Sequence, residues 1–556
     1  MSAPCDSLTT VLAYHERTKH FPGRYARALG YLDWATQPSP FRRFSGAPLL
    51  PLDLVPVGDE PLYGSAFFRG RVSPAPLDRR SVSQLLHDSL ALSAWKEAGG
   101  SRWSLRVNPS SGNLHPTEGY LLAGPIAGLH ERPAVYHYAP REHALELRAE
   151  LSEAAWAQLS SRLPAGSLLI GLTSIHWRES WKYGERAYRY CQHDVGHAIG
   201  ALAVAAAGLG WEARLDEGVP DRELAALLGV REQRGTEAEH PECLLLVAPP
   251  VAGLRLEQGP ALLALPALLV AELASARWNG EPNRLSKDHH RWPVIDEVAV
   301  ATEKTGLPGE AFWEPVHFDN SSLAASDEPL PLRRLIQQRR SAVALDGHTG
   351  ITRDAFYQIL LKAMPGASQV PFTAVPWRPR IDLLLFVHRV QGVEPGLYAL
   401  LREPARQRAL RAALDPNFVW VQPPRCPDSL PLFLLESGDP RAVAQQTSCG
   451  QKIAADGAFA AAMLAEFRAP LEQFGPWFYR RLHWETGVVG QLLYLEAEAS
   501  GIRATGIGCF FDDATHLAFR LAGDQFQVLY HFTMGGPVDD PRLQTAPPYP
   551  DRSTGG

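Results

Sequence analysis

Cysteine is scarce in this chain of 556 residues: six, at positions 5, 191, 243, 426, 449 and 509, with no Cys-x-x-Cys spacing. That count offers neither a disulfide framework nor a zinc site, and it fits a reducing, cytoplasmic compartment. Long hydrophobic runs are missing too. The greasiest stretch, ALLALPALLVAEL (261–273), is interrupted by Pro266 and Glu272 and is too short for a spanning helix. The first twenty residues have no basic region followed by an apolar one, so no secretory signal is read there. Positive charge is not in excess: the formal net charge is -6, with no basic block. Nucleic acid and a membrane surface are therefore not expected as partners. No Walker A loop, GxSxG elbow or GxGxxG fingerprint occurs.

The rest of the composition is ordinary for a globular protein, 45% hydrophobic and 21% charged. The length exceeds what one core serves, so two domains are expected. Residues 1–75, rich in Pro, Gly and aromatics, read as an extension of short helices and loops wrapped on the first domain. A first domain over 76–275, a polar linker over 276–328 and a second domain over 329–556 follow.

Within the first domain the apolar spacing predicts a helix over 79–95, and a turn, VNPSSGN (107–113), leading into a strand to 122. AVYHYAP reads as a strand, 143–163 as a helix, SLLIGLTSI (167–175) as a buried strand, 184–209 as a helix and CLLLVAPP (243–250) as a strand. The order then recurs. LRRLIQQRRSAVALDG (332–347) opens a second pass, followed by a helix at DAFYQILLKAM and a strand at IDLLLFVHRV. GLYALL matches AVYHYA, ARQRALRAAL stands where HALELRAEL stood, and LPLFLLES (430–437) matches SLLIGLTSI. GVVGQLLYLEAEASGI matches HAIGALAVAAAGLG, and FQVLYHFTMG matches CLLLVAPP. An offset of roughly 260–290 residues is far longer than a solenoid period, so the chain reads as a duplicated domain. Alternating strands and helices make each copy α/β or α+β, and two copies most simply pack as a pseudo-two-fold pair.

Arg339-Arg340-Ser341 opening a domain, Pro109-Ser110-Ser111-Gly112-Asn113 before a strand, an Ala/Leu-rich helix and then Gly506-Ile507-Gly508-Cys509 stand in a specific order. In that order the sequence resembles the nitroreductase-like FMN flavoproteins, and more closely the SagB/ThcOx-type dehydrogenases, in a tandem form. The resemblance implies an α+β fold, an α/β sandwich in which two subunits share each FMN. One subunit gives an Arg-rich segment for the phosphate and a Gly-containing strand end facing the flavin; the other gives the Pro-Ser-Ser turn. The two copies here are complementary. Copy two has Arg339, Arg340, Ser341, Gly506, Gly508 and Cys509, where copy one has LDRRSVSQ (77–84) and EARLDEG. Copy one has Pro109, Ser110, Ser111 and Asn113, where copy two has TAVPWRPR (373–380). One composite FMN site is expected, its mirror image lost. The chemistry suits the assignment: arginine forks match phosphate, and glycines let backbone amides approach a ring edge.

Lys182-Tyr183 resembles the Lys-Tyr pair of azoline-oxidising members, and copy two lacks it. A cation beside a phenol favours the phenolate, so Tyr183 is expected as a general base assisted by Lys182. His193 and His197 share a helix face, yet no third ligand stands at motif spacing, so no metal is expected. The expected activity is dehydrogenation of a small-molecule or peptide-derived heterocycle. The alternatives are an NAD(P)H-dependent nitro or quinone reductase, and an inactive binding scaffold.

Overall fold

The computed structural model describes residues 6–250, 263–307, 318, 323, 330–366, 368–550 and 552. The first five positions, Cys5 among them, and most of 308–328 in the expected linker lie outside the described residues, as do the first two residues of the 261–273 run.

The first half runs α1 (Ser7–Arg17), β1 (Leu49–Pro51), α2 (Tyr63–Ala66), α3 (Arg79–His87), β2 (Leu92–Ala98), β3 (Ser101–Arg106), β4 (Thr117–Ala123), β5 (Ala134–Ala139), β6 (Ala144–Glu150), α4 (Glu153–Ser160), β7 (Leu168–Ser174), α5 (His176–Tyr183), α6 (Ala187–Gly208), β8 (Glu212–Asp216) and β9 (His240–Ala248). The second runs α7 (Pro293–Ala301), α8 (Leu332–Gln338), α9 (Arg353–Lys362), β10 (Ile381–Val387), β11 (Gly396–Leu400), α10 (Gln407–Ala413), β12 (Leu432–Ser437), α11 (Arg441–Thr447), β13 (Phe459–Glu466), α12 (Phe478–Ala499), β14 (Arg503–Ile507), α13 (Asp512–Ala518), β15 (Phe526–Gly535) and β16 (Gln544–Ala546).

Each half has one large antiparallel sheet. The orders are β1-β6-β5-β4-β7-β9-β8 and β12-β11-β10-β13-β15-β14, so from β6 and β12 onward the two sheets correspond strand for strand. Every residue of α6 is buried, and all but the last two of α12. These two helices pack on each other between the sheets, crossing at Gly196 and Gly487. Near α2 and α8 the pairing is reciprocal: Tyr63 N donates to Leu330 O at 2.8 Å, and Leu332 N to Pro61 O at 3.0 Å. The two halves thus share one α+β architecture. The C-terminal β16 crosses over and pairs with β2, completing a small sheet with β3.

Three sequence expectations change. The 79–95 helix stops at His87, and residues 92–98 form β2. The 143–163 helix is a strand followed by a short helix. His143 takes a positive φ of 46°, β6 pairs with both β5 and β1, and α4 starts only where Ser152 caps the amide of Ala155. Ala, Leu and Glu are good helix formers, but sheet pairing overrides propensity. LPLFLLES is then the counterpart of β6, not of SLLIGLTSI; the true counterpart of β7 is β13.

The N-terminal extension touches both halves. Arg17 pairs with Glu185, while the His15 ring lies within hydrogen-bonding distance of Tyr479 Oη and Gln527 Oε1. The described part of the linker is ordered: residues 281–282 pair with 44–45, and α7 packs on α1.

Candidate active site

Between β3 and β4 the chain turns tightly. Gly112, Asn113 and His115 all have positive φ, 54–60°, a region that Gly and Asn tolerate. The turn's side chains tie it down. Asn113 Nδ2 donates to Ser104 O at 2.8 Å, and His115 N to Ser110 Oγ at 2.8 Å. Ser111 donates twice, from N and Oγ, to Asp194 Oδ1 on α6, both at 3.0 Å. A Cβ at Gly112 would lie 2.5 Å from Tyr183 Oη and 3.2 Å from Lys182 Nζ, so the turn and the end of α5 meet at that glycine.

The opposite wall follows α8. Ser341 bridges to Ala504 of β14, and its Oγ donates to Tyr494 Oη at 3.0 Å. Arg339 is buried. Its Nη2 donates to Arg106 O at 3.3 Å, and its Nε and Nη1 have no protein partner. Arg340 donates to the carbonyls of Gln337, Arg339 and Ser93. Burial lowers both guanidinium pKa values, that of Arg340 to about 10, with Arg339 adding like-charge repulsion. Lys96 of β2 is lowered by burial and by Arg340 and Arg503. This wall is a cluster of cations.

All ten residues expected to hold the flavin line one cavity of about 680 Å³ between the halves: Pro109, Ser110, Ser111, Asn113, Arg339, Arg340, Ser341, Gly506, Gly508 and Cys509. Tyr183 lines it as well. Lys182 is outside the wall, its Nζ 5.3 Å from the centroid of the Tyr183 ring. At the place that corresponds by element order in the other half, the chain after α2 meets Val370 and Thr373 around a space of about 20 Å³. Arg69 and Gly70 stand there in place of the Arg-Arg-Ser segment, with Arg69 paired to Glu212. The LDRRSVSQ segment is instead the start of α3, where Asp78 and Ser81 form a capping box.

Two expectations about chemistry are corrected. The surroundings of Tyr183 favour the phenol over the phenolate. Burial, then Glu179, Tyr190 and Asp194, push its pKa well above the ordinary value. Gly506 of β14 and Gly508 just beyond it make room for two tyrosines. A Cβ at Gly506 would sit 2.0 Å from Tyr530 Oη, and one at Gly508 2.4 Å from a Tyr190 ring carbon. The Gly506 amide is taken by Tyr494 Oη at 2.9 Å.

The sequence reading missed Asp194. It is buried in the cavity wall, and its Oδ2 has no protein partner. Burial raises it to about 7 despite hydrogen bonds from Ser110 and Ser111. Its signal was a lone acid on an otherwise buried helix. Lys96, Arg106, Tyr190, Arg503 and Tyr530 also line the cavity without a sequence motif. His193 stacks on His483 at 5.1 Å, and His197 Nε2 lies 3.3 Å from Tyr530 Oη. Among the described residues no group of three or more His, Cys, Asp or Glu side chains could hold a metal, and no helix is long and apolar enough to cross a membrane.

The nitroreductase-family model matches residues 69–248. Those residues are a nitroreductase-family domain. The family is one of oxidoreductases, and its members typically bind flavin. The domain contains the Pro109–Asn113 turn, Lys182, Tyr183 and Asp194, while the arginine wall comes from beyond it. The chain is 27% identical to Putative nitroreductase MJ1384 of Methanocaldococcus jannaschii over 164 residues, 28% of this chain and 77% of that protein. It is 36% identical to the trifolitoxin-processing protein TfxB of Rhizobium leguminosarum bv. trifolii over 129 residues, 22% of this chain and 34% of TfxB. The crystal structure of a putative nitroreductase from Anabaena variabilis superposes with a TM-score of 0.68 over 95% of this chain and 99% of that one, at 24% identity. That structure shares the fold across both halves.

Proposed function

We propose that the chain is an FMN-dependent dehydrogenase with one flavin site shared between its halves, acting on a small or peptide-derived heterocycle of the azoline type. The observation that carries this is the pair Arg339 and Arg340. Their side chains bond only backbone carbonyls, in the wall of a cavity large enough for a cofactor and substrate. Buried cations normally have a carboxylate or an anionic ligand. A phosphate monoester meets that need with forked hydrogen bonds. The collapsed counterpart cavity supports one flavin per chain. The likeness to a protein named for trifolitoxin processing supports a peptide-modifying dehydrogenase over a general nitro or quinone reductase.

Arg339 and Arg340 would hold the phosphate, with Ser341 beside them, and the Pro109–Asn113 turn would form the facing wall. Bound there, FMN supplies a two-electron acceptor for hydride. The chain's own groups manage the proton. Asp194 lines the cavity, its buried Oδ2 has no protein partner, and a group near neutral pKa exchanges protons best at neutral pH. Asp194 is the proton acceptor in this reading. Tyr183, held as a phenol, donates a hydrogen bond that orients the substrate, and Gly112 lets it stand against the turn.

The test is the visible spectrum of the purified protein, with released flavin counted per chain. One FMN per chain, lost in Arg340→Ala and Ser111→Trp, is the expected result. Two per chain, or none after incubation with FMN, overturns the reading; the second outcome leaves a binding scaffold. Rapid bleaching by NAD(P)H with no turnover of azoline peptides moves the activity to the reductase class.

A further inference from the structure

Cys449 and Cys509 are far apart in sequence, yet their sulfurs lie 2.8 Å apart. Both are free thiols and only partly buried. The segments carrying them are fastened together. Phe511 N donates to Thr447 O at 2.8 Å, and Gln451 Nε2 bonds both Cys509 O at 2.9 Å and Ser448 O at 3.0 Å. Cys449 follows α11 with a positive φ of 55°, and Cys509 follows β14 in the cavity wall.

The surroundings separate the two thiols. Ala26 N donates to His20 Nδ1 at 2.8 Å, so a neutral His20 carries its proton on Nε2, and the ring bonds Cys509. The contact with Cys449, then His20 and Arg186, hold the Cys509 thiol below its ordinary pKa against the opposing effect of burial. The Cys449 thiol is raised by that same contact and by burial. The other ionisable groups facing the pair are Asp512, Tyr183, Tyr190 and Tyr25, and Tyr25 is 54% exposed beside Cys449. A thiolate attacks disulfides, and a neighbouring thiol resolves the product.

We infer that Cys449 and Cys509 form a thiol–disulfide exchange site in the cavity wall, with Cys509 the attacking and Cys449 the resolving residue. The substrate class is a small disulfide. The Cys509 thiolate bonds to one sulfur of R–S–S–R, and the S–S bond breaks to release RS⁻. Cys449 then loses its proton, attacks the Cys509 sulfur and expels the second RS⁻. Protein dithiol plus RSSR gives protein disulfide plus two RSH: the cysteines lose the electron pair that the small disulfide gains. Closure would tie the α11 loop to the end of β14, beside the cavity. Cys509 also lines the flavin cavity, so occupancy of the cavity bears on access to its sulfur.

The probe is oxidised glutathione, added to the full-length protein reduced and freed of reductant, with and without bound flavin. The wild type is expected to lose two thiols, retain no glutathione and yield a 449–509 cross-linked peptide. Cys449→Ser is expected to keep one glutathione, on Cys509. In the wild type, alkylation of Cys509 is expected to change less than about threefold from pH 8 to pH 6, whereas an ordinary thiol slows about tenfold per unit. Glutathione persisting on either residue of the wild type without a cross-link, or a Cys509 rate that falls like an ordinary thiol, overturns the assignment.

Discussion

Gly196 of α6 and Gly487 of α12 touch at the helix crossing, and each occupies the space where the other's side chain would be. A Cβ on Gly196 would lie 2.3 Å from Trp484 O, and one on Gly487 2.4 Å from His193 O and 2.6 Å from Gly196 Cα. These neighbours are backbone and cannot swing away. Gly487→Ala gains ~1 kcal/mol of helix propensity but has to push two buried helices apart, and overpacking of about 1–3 kcal/mol or more wins. Gly487→Ala and Gly196→Ala are expected to lower the denaturation midpoint clearly. Gly208→Ala, which meets only the flexible end of Leu332, is expected to cost less. Equal midpoints for all three in urea titrations would contradict this packing.

Arg339 gives a prediction of opposite sign for stability and binding. It is buried, and two of its guanidinium nitrogens have no partner. Replacing a buried cation offset only by the Tyr494 ring and Glu498 with an apolar chain of similar length is stabilising in the empty protein, by about 1–2 kcal/mol. Arg339→Met is therefore expected to melt higher than the flavin-free wild type while binding FMN at least tenfold more weakly. A lower melting temperature together with unchanged affinity would remove Arg339 from the phosphate role.

Features that depend on local chemistry were legible in the sequence. The Pro109–Asn113 turn, the Arg339–Ser341 segment and Gly506–Cys509 announce themselves by special backbone demands or by charge, and the structure gathers them around one cavity. The strand at 144–150 was hidden because its residues favour helices and only its neighbours make it a strand. The Ala-rich β13 was passed over for the same reason, which shifted the matching of the halves by one strand. Asp194 was hidden because α6 is buried on every side, so periodicity marks no face. The proximity of Cys449 and Cys509 has no sequence spacing to reveal it.

Asp512 joins three parts of the chain. Its Oδ2 accepts from His20 N and Arg186 Nη1, both at 2.9 Å, and its Oδ1 from Arg189 Nη1 at 2.7 Å. Burial opposes ionisation here, but Arg186 and Arg189 outweigh it and hold the carboxyl well below the usual range. A depressed acid contributes stability above its unfolded pKa of ~3.9, and the contribution fades as pH falls through the folded value. Asp512→Ala leaves two buried guanidiniums unmatched, at about 3–5 kcal/mol. Urea titrations are expected to show that deficit in full at pH 7 and shrinking below pH 4. A deficit independent of pH would mean that packing, not charge, is what Asp512 contributes.

Asp194 has the opposite sign. Burial raises its pKa to about 7, so the folded protein holds a proton there that the unfolded chain releases near pH 4. Stability falls as pH rises from ~4 to ~7 and stays lower above it. Asp194→Asn removes that titration while its amide oxygen still accepts from Ser111. The variant is therefore expected to match the wild type near pH 4 and to exceed it at pH 8 by about 2–4 kcal/mol, the size of a shift of this order. Activity should move the other way. If Asp194 accepts the substrate proton, wild-type turnover rises with pH through about 7, and Asp194→Asn loses about 10²–10⁴-fold with flavin content unchanged. A variant that is more stable at pH 8 yet keeps full turnover would leave Asp194 as the anchor of the Ser111 turn and move the proton acceptor elsewhere in the wall.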